Sequence, residues 1–171
     1  KAISLSPKVD RYHSSFSQID MALANSIAQK KNLSDQERTT VTQLIQQAIT
    51  EAKVAVSINP QRAGSWENLA RIYQLIMAFA TGADNFAIQS FNQAVALDPI
   101  NPNLRISLGG AYYALGRYDE AISTFQLAIL AKPDLANAHY NLAIAYREKN
   151  DVKKATEEIN IVLTLVGKDT A

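Results

Sequence analysis

Apolar side chains recur along this chain three or four positions apart almost from end to end, the spacing that gathers them on one face of a helix. A first helix, predicted over about 8–31, carries Phe16, Ile19, Leu23 and Ile27 on one side. A second, over about 35–57, carries Val41, Leu44, Ile45, Ala48, Ile49, Ala52 and Val56. It opens with Ser34 and Glu37, a spacing at which each side chain can bond the other's backbone N–H. Six more helices are predicted at about 63–80, 85–97, 102–115, 118–131, 136–149 and 152–166. The stretch TGADN separates the third from the fourth, and Asn101 followed by Pro102 supplies a cap and a first-turn proline for the fifth.

Four prolines put these helices in register. Six residues after Pro7, Pro60, Pro99 and Pro133 stand His13, Trp66, Arg105 and His139, and nine after stand Phe16, Leu69, Leu108 and Leu142. Ten after, the residue is small: Ser17, Ala70, Gly109 or Ala143. Thirteen after come Asp20, Tyr73, Tyr112 and Tyr146. Reading backward, Pro133 is preceded by Ala121, Phe125 and Ala128, Pro99 by Ala87, Phe91 and Ala94, and Pro60 by Ala48, Ala52 and Ala55. The last unit has Ala155, Ile159 and Val162, with Gly167 where a proline would stand. Pro99 to Pro133 and Ala121 to Ala155 are both spaced by 34 residues.

In Leu108, Gly109, Tyr112, Ala121, Phe125, Ala128 and Pro133 the chain resembles the tetratricopeptide repeat family, matching L-G-x2-Y…A-x3-F…P in order and spacing. The tryptophan of that pattern stands one unit earlier, as Trp66. The match is close over about 63–166 and looser over 8–60, where Pro7 and Pro60 lie 53 residues apart and Asp20 replaces the tyrosine. The resemblance implies an all-α fold, a right-handed α-solenoid of stacked antiparallel helix pairs with about eight helices. It divides the chain into an elongated N-terminal hairpin (1–62, a degenerate repeat), a repeat with a short insertion (63–101), a regular repeat (102–135) and a final one (136–171). The residues that define packing are then Trp66, Leu69, Tyr73, Leu108, Gly109, Tyr112, Ala121, Phe125, Ala128, Pro133, Leu142, Tyr146 and Ala155. Gly109 is expected to face Ala121 so that two helix backbones approach, and Gly116 to end its helix in the left-handed conformation. Gly110 has no such duty.

Composition narrows function mainly by exclusion. Apolar residues make up 47% and charged residues 19%, the balance of a folded protein rather than a disordered one. The net charge of +1 is spread along the whole length, so no basic stripe is expected to hold nucleic acid. The absence of cysteine excludes disulfides, thiolate metal sites and cysteine nucleophiles. No apolar run reaches the roughly 18 residues that cross a bilayer, so this segment is not expected to insert. It begins without methionine or a signal-peptide core, as expected of a piece of something longer or of a processed form.

No catalytic, metal or cofactor site is expected either. His13 and His139 sit at equivalent places without a second ligand at metal-binding spacing, which assigns them to helix packing. SLGG lacks the lysine and strand of a phosphate loop, and no G-x-S-x-G elbow occurs. Asp119 with Glu120 suits the first turn of a helix, where negative charge favours the dipole. DPINPN has too few acidic oxygens for calcium, and the sequon at Asn32 is short enough to arise by chance.

The resemblance also implies where a partner would bind, because in that family the first helix of each pair lines a concave groove. Helical spacing selects Glu67, Asn68, Arg71, Gln74 and Leu75, then Asn103, Ile106, Ser107, Gly110 and Tyr113, then Asn137, Tyr140, Asn141, Ile144, Arg147 and Glu148. Amides suit a peptide backbone and tyrosines supply stiff contact area. The expected function is a non-catalytic scaffold that binds a protein or peptide segment. Two alternatives stay open. One is the soluble, extracytoplasmic accessory region of a bacterial membrane protein, since glycan-polymer ligases of similar pattern carry such repeats. The other is self-assembly as a homo-oligomer through the C-terminal helix, where Ile159, Ile161, Val162, Leu163, Leu165 and Val166 encircle most of the surface.

Overall fold

A computed structural model describes residues 8–169, and among these every regular element is an α-helix. The helices are α1 (Asp10–Ala28), α2 (Asp35–Ile58), α3 (Ala63–Ile76), α4 (Ala83–Leu97), α5 (Pro102–Ala114), α6 (Tyr118–Ala131), α7 (Ala136–Glu148) and α8 (Val152–Asp169). Pro7, the first of the four anchors, lies outside the described residues. The helices form two compact units, one ending at Leu97 and the other starting at Asp98.

In the first unit α1 pairs with α2 and α3 with α4, and α3 lies on both α1 and α2. Ala48, Ala52 and Val56 of α2 meet Leu69, Ile72, Tyr73 and Ile76 of α3 in one apolar cluster that extends to Ala83 and Ala87 of α4. The capping box at Ser34 and Glu37 is present, and the Ser34 Oγ accepts from the Glu37 N–H at 3.2 Å. Helix α3 ends at Ile76, four residues earlier than its apolar pattern suggests. Met77 to Ala80 continue the hydrophobic run, but the chain there curls through Phe79 N–H to Ile76 O and reverses at Gly82, whose φ is +80°. The apolar residues of that segment serve the turn, and the fourth helix starts at Ala83.

In the second unit α5 pairs with α6 and α7 with α8, and α7 lies on both α5 and α6. Its core joins Ala121 and Phe125 to Leu142, Ala145 and Tyr146. The tight spot predicted at Gly109 is real, but its partner is different. A methyl placed there would come within 2.5 Å of the Phe125 ring, whose atoms are the nearest neighbours, so Phe125 rather than Ala121 occupies the space. Phe125 is one helical turn beyond Ala121 and its flat ring reaches over the missing side chain. Nothing approaches Gly110 within 4 Å.

Gly116 adopts φ +71° and closes α5 with two bonds, Gly116 N–H to Tyr113 O and Arg117 N–H to Tyr112 O, both 2.9 Å. That is the helix-ending pattern in which glycine costs least. Asn150 does the same for α7 at φ 59°, its N–H bonding Arg147 O while the Asp151 N–H bonds Tyr146 O.

The variable residue six after each proline also gains a reason. Trp66 Nε1 donates to Pro60 O at 2.8 Å, Arg105 Nη1 donates to Pro99 O, and His139 Nε2 lies 2.9 Å from Pro133 O. Three chemically different side chains share one task, satisfying a carbonyl left open at a helix start. The histidines also pair across their hairpins, His13 Nδ1 with Glu51 Oε2 at 2.5 Å and His139 Nδ1 with Glu158 Oε2 at 2.6 Å.

Candidate functional site

Unequal helix lengths leave a concavity in the first unit. Helices α1 and α3 both begin three residues after their prolines, but α1 has 19 residues and α3 has 14. At 1.5 Å per residue, α1 projects about 7 Å past the end of α3. The inner face of that overhang is left open as a cavity of about 480 Å³, floored by Ala24, Ala28, Val41 and Ile45 and walled by Leu33, Leu75 and Phe79. Arg38 stands at its margin. Leu75 and Phe79 are 58% and 70% exposed, unusual for large apolar groups beside a concavity.

A second cavity of about 290 Å³ continues along α1 and α3, sharing Met21, Asn25 and Leu75 with the first. Gln18, Asn68, Arg71 and Ile72 complete it. Together they form one trough, apolar at one end and lined with amides and a guanidinium at the other.

The predicted groove residues fall in two places. On α3, Arg71 bonds Glu67 Oε1 at 2.7 Å, and Gln74 is half-buried. Asn68 is buried, and its Nδ2 donates to Ser17 Oγ at 2.7 Å, so it forms part of the trough's floor and cross-links α3 to α1. In the second unit, Asn103 takes part in the cap of α5 through its N–H to Asn101 Oδ1. Asn141 Nδ2 donates to Asn137 O at 2.7 Å and to its Oδ1 at 2.9 Å. Ile106, Ser107, Gly110 and Ile144 are half-buried, and Tyr140 is exposed.

Tyr113 stacks at an angle on Tyr118 with ring centres 5.4 Å apart. Burial raises its phenol, reinforced by the charge of Glu148. The Glu148 carboxyl is held below its ordinary range by the hydrogen bond from Arg147, with Tyr113 contributing. These three groups therefore satisfy one another and leave little unpaired charge on that face.

Six lining residues of the trough, Gln18, Met21, Ala22, Ala24, Asn25 and Ala28, come from α1 and were not anticipated. Arg38, Thr42 and Phe79 were missed as well. The available signal was the second apolar line of α1, Met21, Ala24 and Ala28, which runs beside the Phe16–Ile27 line.

A tetratricopeptide repeat family model matches residues 85–139. Superkiller complex protein 3 of Mus musculus is 30% identical over 92 residues, covering 54% of this chain. The chain spans 6% of the length of that relative. Among solved structures, MamA superposes with TM-score 0.70 at 20% identity, covering 99% of this chain and 85% of that one. TTC0263, a thermophilic TPR protein of Thermus thermophilus, gives 0.72 at 18% identity over 99% of this chain and 80% of that one. The second TPR of Spaghetti (RPAP3), bound to the HSP90 peptide SRMEEVD, gives 0.53 at 23% identity over 63% of this chain and 94% of that one.

Proposed function

From a chain that carries tetratricopeptide repeats and has their helix-pair fold, we propose a non-catalytic module that binds an extended protein segment along the α1–α3 trough. The observation that carries this reading is the trough itself, with an apolar recess at one end and Asn25, Asn68 and Arg71 at the other. A segment with one large apolar side chain fits: the recess takes that side chain while amides bond its backbone. Arg38 and Arg71 favour a segment with an acidic group, the kind of chemistry present in the peptide named with the Spaghetti structure. The shallower faces of α5 and α7 take a secondary role through Asn103, Ser107, Gly110, Tyr113, Asn137, Tyr140, Asn141 and Arg147. The four helix pairs serve as its repeat units, the first, within residues 1–62, being the elongated and degenerate one.

The test is a display selection of random peptides on the intact chain. Selected sequences should share one large apolar residue near an acidic one, and Leu75→Asp should abolish their binding without lowering the melting temperature. Binders that share no such feature, or that tolerate Leu75→Asp, would refute the trough as the site.

A further inference from the structure

We propose that copies of this chain dock head to tail, with α1 of one seated in the furrow between α7 and α8 of the next. This goes beyond peptide binding and uses different residues on α1.

The second unit contains a template for the contact. There α7 packs on the α5–α6 hairpin, burying Ala138, Leu142 and Ala145 against walls that include Ile122 and Phe125. Thirty-four residues later the same furrow recurs between α7 and α8, with Val152, Thr156 and Ile159 in the places of Tyr118, Ile122 and Phe125. It is an open cavity of about 330 Å³, and Val152 and Ile159 are 69% and 36% exposed.

The helix that matches the furrow is α1. His13 pairs with Glu51 as His139 pairs with Glu158, which puts α1 and α7 in register and aligns Tyr12, Phe16 and Ile19 with Ala138, Leu142 and Ala145. Where α7 buries these positions, α1 leaves Tyr12 and Ile19 42% and 61% exposed, with Phe16 half-buried.

Side-chain size decides the pairing. Inside the molecule the large Ile122 and Phe125 share one cluster with the small Ala145, while Ala138 is buried earlier on the same helix face. At the open furrow the walls shrink to valine, threonine and isoleucine, and the inserts on α1 grow to tyrosine and isoleucine. Walls and inserts change size in opposite directions, the sense that close packing requires. The same two surfaces are exposed on every copy, so the contact is heterologous, and each copy can use both.

Sedimentation velocity from micromolar to near-millimolar concentration tests this. The intact chain should associate with rising concentration. Ile19→Glu and Val152→Glu should each give a monomer, with unchanged helical circular dichroism and melting. Mixed together, the two variants should form a one-to-one pair and stop, because only one good face of each remains. If Val152→Glu perturbs the start of α8, Thr156→Arg replaces it as the furrow variant. An intact chain that stays monomeric throughout would overturn the proposal, and the furrow would then belong to another helix. Association that survives Ile19→Glu would overturn it too, since an α8-to-α8 contact needs no α1.

Discussion

The α1–α2 and α5–α6 hairpins occupy equivalent places in their units and fill their centres with opposite inventories. In α5–α6 the small position is Gly109 and the facing position is Phe125, so a ring covers a bare backbone. In α1–α2 the same places hold Ser17 and Ala52, both small and both fully buried. Instead Asn68 reaches in from α3 to bond Ser17, and Asp20 stands where Tyr112 stands in the other hairpin. Burial, then the charge of Glu51, raises the Asp20 carboxyl above its ordinary range. One hairpin is held by shape and the other partly by polar groups that need partners. The polar hairpin is also the longer one, and it holds the trough.

Removing the ring that fills the shape-held hairpin should break the contrast most severely. Phe125→Ala should destabilise the chain by about 3–5 kcal/mol, the cost of emptying a fully buried aromatic site. Denaturant titration checks it, and a loss below about 1 kcal/mol would mean that α5 and α6 close the gap.

Adjacent glycines sharpen the same point with opposite signs. Gly109→Ala should destabilise by roughly 1–3 kcal/mol, since its methyl meets the Phe125 ring. Gly110→Ala should stabilise by up to about 1 kcal/mol, because the space above it is open and alanine favours helix. If Gly109→Ala is neutral, the Phe125 ring has shifted to admit the methyl.

The smallest effect lies in the polar hairpin and depends on pH. With the folded Asp20 pKa above its unfolded value of about 3.8, the native state holds this proton longer, so stability falls as pH rises through that window. The penalty is fully present at neutral pH. Asp20→Asn should therefore raise the melting temperature more at pH 7 than at pH 3. An equal shift at both would remove the carboxylate charge from the explanation.

The regular part of the fold was legible because its packing is local and periodic. Leu108, Gly109, Tyr112 and Ala121 follow from spacing alone, and six of the eight helices start at their expected residue and the other two within two residues of it. The end of α3 was not legible, because Met77, Phe79 and Ala80 keep a helical rhythm while Gly82 turns the chain. The role shared by Trp66, Arg105 and His139 was hidden by their differing chemistry until the proline carbonyls were seen beside them.

The trough was half legible. Of its lining, Asn68, Arg71 and Leu75 were named from the face of α3. The burial of Asn68 depends on Ser17, 51 residues away, a distance that no local pattern spans. The contribution of α1 was lost because its unit departs from the 34-residue period, so family spacing could not transfer.

One comparison of affinities tests the central claim most directly: fluorescence anisotropy of a selected peptide against Phe79→Asp in the trough and Tyr140→Asp on α7. The trough reading predicts at least a ~10-fold weakening for Phe79→Asp, equal to about 1.4 kcal/mol, and less than about 3-fold for Tyr140→Asp. The reverse order, or equal affinities in both variants, would contradict it.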